Sequence, residues 1–354
     1  MKYSRSIDIL AAALALGTST WMGKTMKPTS LLKQLLPAAL ATSLVLTAGS
    51  NVLAGEVVAP RIMKIVVPYA PGGSTDIMAR NISQGMSKRL GNTVIAENRP
   101  GGGAVLGTNA VTKSAPDGAT LLLTTTAFTI SAGLQEKLPY DPVNDLVPLA
   151  MLTEVPMLLA VPASSPYKST ADLIAAARAT PGKLNYGTSG IGSSNHMGME
   201  LFKGAAGKLQ ITHVPYKGMN PAAIDLAAGQ VQAIIGSYSS LAPVLQSGKV
   251  RALAVSSLNP SPFSPDLPAI SAVVPGFNMT AWFAMFAPAK TPQGLIDLYH
   301  KEIRALLTTE EFVKLFAQER AVPSNMDLPT MAALIKTEIV QWRKIAQEQG
   351  IKAE

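Results

Sequence analysis

Short runs of β-branched and aliphatic residues alternate along this chain with stretches whose apolar positions recur every three to four residues. MKIVVPY precedes a helical pattern from Asp76 to Leu90, TVIAENRP precedes another from Ala104 to Ser114, and TLLLTTT closes this first set. Strand and helix taking turns predict an α/β fold with mostly parallel strands. A second set follows: PMLLAVPAS, a helix from Ser169 to Thr180, LNYGTSG, a helix from Ser194 to Lys203, ITHVPY, a helix from Pro221 to Ala228, VQAIIGSY and VRALAVSS. That set is long enough to form a domain of its own. Ser169 with Asp172 three residues on predicts a capping box, Pro181-Gly182 stops that helix, and Thr291 is expected to cap one that begins at Pro292. After a Pro-rich surface stretch, Asn259 to Pro268, the strand pattern WFAMFAP leads into C-terminal helices. Their stripes, Leu295-Tyr299-Ile303-Leu306, Phe312-Leu315-Phe316 and Ile335-Ile339-Trp342-Ala346, have the spacing of core positions.

The first 54 residues read differently. From Met26, Lys27 and Lys33 precede an apolar stretch from Leu35 to Ala48 and the small-residue pattern Val52-Leu53-Ala54, which predicts a secretory signal peptide cut after Ala54 and a mature chain in the periplasm. A second apolar run, Ile7 to Leu16, lies upstream behind Lys2 and Arg5, so translation starts at Met1, Met22 or Met26. Both runs fall short of the ~20 residues a spanning helix needs, which disfavours an uncleaved anchor. A third, Leu146 to Val161, contains Pro148, Glu154 and Pro156 and reads as two strands broken by a turn.

Composition narrows the chemistry. With no cysteine and 3 histidines in 354 residues, disulfide scaffolds and thiol nucleophiles are excluded, and metal sites are disfavoured. At 47% hydrophobic the chain buries a sizeable core. The net charge of +8 comes partly from the leader; the remainder has 25 bases against 21 acids and no basic run, so no nucleic-acid partner is expected. Enzyme signatures fail one by one. Gly17 with Gly23-Lys24-Thr25 has one residue too many for a phosphate loop, Ile191 stands where a nucleophile elbow needs glycine, and Leu106 replaces the third glycine of a dinucleotide fingerprint. What remains is a pair of strand, Gly/Ser turn, helix units, KIVVPYAPGGSTD and LNYGTSGIGSSNH. Each can turn backbone N–H groups and a helix N-terminus toward an anion. The strand end Thr124-Thr125-Thr126 adds hydroxyls.

The strings IVVPYAPGGSTD, VIAENRPGGG, APDGATLLLTTT, LPYDPVNDLVPLAML, HVPYKGMNPAAIDLAAGQV, VRALAVSS and AWFAMFAPAKTP, in this order, resemble the tripartite tricarboxylate transporter substrate-binding proteins, the Bug or TctC-like family, over nearly all of Pro60 to Glu354. The resemblance implies a two-lobed, type II periplasmic binding protein with two chain crossovers. Residues 55–155 and 283–354 would form lobe 1 and residues 156–282 lobe 2, hinged near Pro156 and Trp282. It also implies a monomer without cofactor or catalysis, which holds a small organic acid in the cleft for membrane transporter subunits. Carried over, the first cradle is Tyr69, Ala70, Gly72, Gly73, Ser74 and Asp76 with Thr125 and Thr126. The second is Thr188, Ser189, Gly190, Ser193, Ser194 and His196, with Tyr216 and Lys217 along the cleft wall. Gln232 and Gly236 depart from the family, which commonly has aspartates there, so a preference for ammonium-bearing ligands does not carry over.

Some single residues read two ways. Asp76 fits either a ligand contact or an acid serving the helix dipole, His196 either a contact or a cap, and Lys217 either a partner for an acidic ligand or a solvated lysine. Two other functions stay open at this level: a receptor of the same fold feeding a sensor protein, and an exported hydrolase using Ser189 or Ser194.

Overall fold

The computed structural model describes residues 57–352, so the leader and its cleavage after Ala54 lie outside the described residues. The chain begins with β1 (Ile62–Val67), α1 (Ser74–Leu90), β2 (Thr93–Asn98), α2 (Val105–Thr112), β3 (Thr120–Thr125), α3 (Ala127–Leu134) and β4 (Leu146–Pro156). It continues through β5 (Leu158–Pro162), α4 (Thr170–Ala179), β6 (Leu184–Thr188), α5 (Ser194–Ala205), β7 (Ile211–Pro215), α6 (Met219–Ala227), β8 (Ile234–Gly236), α7 (Tyr238–Gln246) and β9 (Val250–Val255). It closes with β10 (Thr280–Pro288), α8 (Gln293–Leu307), α9 (Glu310–Glu319), β11 (Val322–Pro323) and α10 (Leu328–Gln349).

Two lobes result. One holds a six-stranded sheet in the order β11-β4-β10-β3-β1-β2; the other holds a three-stranded sheet, β8-β5-β9, and the pair β6-β7. Alternation along the central strands explains the layering. Ile65, Val67, Leu121 and Leu123 face α1 and α8, while Val66 and Leu122 face Phe128 of α3 and Ile335 and Ile339 of α10. Helices therefore cover both faces, as a sheet with apolar residues on both sides requires. The first two C-terminal stripes lie in the core against α1, with Leu315 partly buried beside it; Ile335 and Ile339 lie in the core on the opposite face, and Trp342 packs with residues of the other lobe.

The expectation of mostly parallel strands is corrected. Among the described residues, only the strand pairs β1-β2, β1-β3 and β6-β7 run parallel, against five antiparallel pairings made by β10, β11 and β5. Local strand-helix alternation reports the βαβ units. It does not report β10, which returns from the other lobe after a long excursion and enters the sheet in reverse. The Ser169–Asp172 capping box is present in both directions. Thr291 does not cap α8, whose N-cap is Pro292, and its buried hydroxyl finds no partner among the described residues. Helix α3 was invisible to periodicity because AFTISAGL is nearly all apolar; it is sandwiched between the sheet and α10. The approach is so close that a Cβ on Gly133 would lie 2.5 Å from the Cβ of Trp342.

The chain passes between lobes at Met157 and again between β9 and β10. Ser256, fully buried, ties both passages. Its N–H donates to Met157 O at 2.8 Å, its carbonyl accepts from Met279 N at 2.9 Å, and its hydroxyl accepts from Met157 N at 2.8 Å while donating to Met279 O. Beside them, Trp282 Nε1 and Thr129 Oγ1 donate to the Glu338 carboxylate at 3.1 and 2.6 Å, and burial pushes that carboxyl up to about 7. Farther along, the Arg320 guanidinium lies 3.5 Å over the Tyr238 ring and donates to Phe263 O at 3.0 Å.

Ser256→Ala strands the Met157 N–H and the Met279 carbonyl in a dry interior, each orphaned group costing about 1–3 kcal/mol. Urea unfolding should show the variant roughly 2–4 kcal/mol less stable. An unchanged midpoint would mean that the hydroxyl does not hold the passages together.

Candidate functional site

Two turns at carboxyl ends of strands carry the candidate residues. In the first, Gly72 takes a left-handed conformation, φ 88°, and Gly73 takes the N-cap position of α1 with no side chain to offer. The N–H groups of Gly73, Ser74 and Thr75 consequently find no acceptor among the described residues, and Ala70, Gly72, Gly73 and Ser74 are exposed. Asp76 behaves differently. It is 4% exposed, accepts the Gly72 N–H at 2.9 Å and pairs with Arg80 at 3.0 Å. The hydrogen bond from Arg80, with that from Gly72, holds its carboxyl below the usual range. The Gly72 amide is thus committed internally.

Tyr69 joins this turn to β3. Its hydroxyl lies 3.0 Å from both Thr124 Oγ1 and Thr125 Oγ1, and its carbonyl accepts from Asn98 Nδ2 at 3.2 Å. Burial raises its pKa, so it remains a neutral phenol. Thr125 also accepts the Ala127 N–H at 3.3 Å and is half-buried. Thr126 is 1% exposed and its hydroxyl accepts Trp282 N at 2.8 Å.

The second turn is braced from within. Thr188 Oγ1 has no exposed surface and lies 2.7 Å from His213 Nε2. Gly192 N donates to His196 Nδ1 at 3.1 Å, and Gly190 N donates to Thr188 Oγ1 at 3.3 Å. Ser193 caps α5, accepting His196 N at 3.3 Å and donating to Gly190 O at 2.7 Å. Ser189 donates to Asn195 Oδ1 at 2.7 Å. The N–H groups of Ser194 and Asn195 remain without an acceptor among the described residues.

Behind this turn, the rings of His196 and His213 stack at 3.9 Å, with Tyr186 stacked 4.9 Å beyond His213. Tyr186 donates to Glu200, which also takes Lys203 Nζ at 2.6 Å. Burial, followed by the Lys203 charge, lowers His196 to about 4; burial, followed by the neighbouring His196, lowers His213 to about 4. Both rings are neutral at pH 7. Tyr216 donates its hydroxyl to Asp225 at 2.6 Å, while Lys217 is exposed.

The structure thus brings the candidates together as two separate groups, and no hydrogen bond joins them among the described residues. Asp76, Thr126, Thr188 and His196, expected as ligand contacts, are each buried and hydrogen-bonded to other protein groups. Gln232 ties β6 to the chain before β8, its Oε1 accepting Asn185 N at 2.9 Å. Gly236 is buried, with Ile234 and Leu241 side chains 3.3 Å from where a Cβ would stand, so it packs against the core and does not widen a cleft. Hollows of about 420 Å³ at Gly102, Leu106 and Lys352 and about 330 Å³ at Phe277, Glu338 and Trp342 are lined by none of the candidates. Asn195, Tyr186 and Glu200 escaped sequence reasoning. Asn195 and Glu200 share α5 with His196, but only the fold brings β7 and its His213 beside them. Among the described residues no group of histidine and acidic side chains could hold a metal ion, and no helix is long and apolar enough to cross a membrane.

Comparison with known proteins gives consistent matches. The family described as tripartite tricarboxylate transporter family receptor matches residues 78–351. BugT of Bordetella pertussis is 36% identical over 295 residues, covering 82% of this chain and 90% of that protein. The R. palustris Rpa4515 structure with adipate superposes with a TM-score of 0.69 at 34% identity, covering 82% and 98% of the two chains. MatC from Rhodopseudomonas palustris with bound malate gives a TM-score of 0.66 at 31% identity, covering 80% and 98%.

Because both imidazoles are pushed from 6.5 to about 4, folding favours their neutral forms. The stability they contribute is present above pH 6.5 and is lost as pH falls through the window from 6.5 to 4. Proton NMR of the imidazole Cε1–H resonances should show His196 and His213 titrating only below pH 5. An imidazolium at either ring at pH 7 contradicts the stacked, neutral arrangement.

Proposed function

Because the chain belongs to the tripartite tricarboxylate transporter receptor family, we propose that it is a periplasmic receptor that captures a small organic carboxylate between two lobes and delivers it to a tripartite tricarboxylate-type membrane transporter. The observation that carries this reading is the start of α1, where an N-cap glycine leaves three N–H donors open on an exposed turn. A carboxylate accepts hydrogen bonds and donates none, so it fits such donors. Removing it from water is costly unless fixed dipoles replace that water. Neither turn contains an arginine. The starts of α1 and α5, each equivalent to roughly half a positive charge, together offset about one negative unit.

The ligand's first carboxylate is therefore held deeply by Gly73, Ser74 and Thr125 on one side and by the Ser194 end of α5 on the other. A second carboxylate stays near the cleft mouth with Lys217. The lobes are residues 55–155 with 283–354, and residues 156–282; they close about Pro156 and Trp282. The receptor is exported by a cleaved leader, acts as a monomer and carries out no catalysis. Support comes from two similar structures that hold adipate and malate, both dicarboxylates.

A thermal-shift panel tests the reading. A true ligand at 100 times its dissociation constant adds about 2.7 kcal/mol of stability. Ser74→Pro puts proline at the first helical position, where it is best tolerated, and removes one N–H donor and the hydroxyl. It should weaken carboxylate binding at least about tenfold, or ~1.4 kcal/mol, without lowering the melting temperature of the free protein. Stabilisation by neutral sugars or amines, with no response to mono-, di- or tricarboxylates, sinks the assignment.

A further inference from the structure

The protons of the second turn can be counted. Asn195 Nδ2 donates to Ile235 O at 2.9 Å, and since a carbonyl only accepts, this fixes which end of the Asn195 amide points where. Oδ1 must then face Ser189 Oγ, 2.7 Å away, and as a pure acceptor it takes the single hydroxyl proton of Ser189. Ser193 is committed in the same sense, its proton going to Gly190 O at 2.7 Å. Ser189 is half-buried at the carboxyl end of β6, and its oxygen has no other partner among the described residues. It turns lone pairs outward, whereas the adjoining start of α5 turns N–H donors outward.

We infer that this turn selects a carboxylate bearing its own hydrogen-bond donor, a hydroxy acid, with Ser189 accepting from the ligand hydroxyl and Asn195 acting as the positioning residue that fixes the polarity of Ser189. The inference rests on the carboxylate-receptor reading and sharpens it. A bare carboxylate has nothing to give Ser189, so a ligand lacking the donor leaves a desolvated lone pair unpaired. Asn195 is itself nearly buried, which holds its amide in one orientation.

Isothermal titration calorimetry with two matched pairs, succinate against malate and propionate against lactate, tests this. The wild-type chain should bind the hydroxy acid of at least one pair about tenfold more tightly than its deoxy partner, the discrimination worth ~1.4 kcal/mol. Ser189→Ala should collapse that ratio to below about threefold, or ~0.7 kcal/mol, and Ser189→Thr, which restores the hydroxyl, should recover it. Asn195→Leu, which frees the Ser189 proton, should also collapse it; if that variant fails to fold, the two Ser189 variants decide. Equal affinities within both pairs, or a preference that survives Ser189→Ala, overturn the inference while leaving the carboxylate receptor intact. If neither member of either pair binds and no other carboxylate does, the receptor reading falls and takes this inference with it.

Discussion

The two passages of the chain between lobes lie against each other, and Ser256 uses every hydrogen-bonding group it has to keep them there. A two-lobed receptor needs this constraint, because two strands side by side leave one soft axis of bending and resist twisting and shear. β4 and β10 pair antiparallel right up to Pro156 and Thr280, so the ladder runs to the point where the chain passes between lobes. Thr126 joins the start of α3 to the backbone of Trp282, and Glu338 joins α10 to the same tryptophan. The passages between lobes are therefore bonded directly to the strand end beside Thr125.

Electrostatics explains the choice of glycine and serine at the strand ends. An arginine would bind an anion strongly but would also need its own desolvation offset in an enclosed site. Helix N-termini carry partial charge that the backbone has already oriented, and a glycine cap keeps those N–H groups unspent. The cost appears in the same loop, since Asp76 stands in the first turn of α1 with a full negative charge. Arg80, one helical turn on, neutralises it, and the carboxylate is kept low and occupied with the Gly72 amide.

Polar residues of the second turn differ in burial. Thr188, His196 and Asn195 lie inside and their hydrogen bonds end on other protein groups. Ser189 and Ser194 lie nearer the surface. Stacked neutral imidazoles suit a strut, since two flat rings at 3.9 Å could not both carry charge. The Glu200–Lys203 pair behind them keeps its charges balanced within the lobe.

Local pattern was enough to read the α/β alternation, the C-terminal stripes, the Ser169 capping box and both Gly/Ser turns, because each depends on residues within a few positions of one another. The ordered run of family strings added the two-lobed architecture, which no single motif contained. Tertiary structure alone decided the rest. It set the reversed direction of β10, because strand orientation depends on where the chain re-enters the sheet. It made α3 a helix, because a mostly apolar segment has no preferred face until one is packed against Trp342. It chose which hydroxyls turn inward, because a Ser or Thr proton goes to whichever acceptor the fold brings within 3 Å. Nothing local marked Asp76, Thr126, Thr188 and His196 as buried, and only the fold set them against Arg80, Trp282, His213 and Gly192.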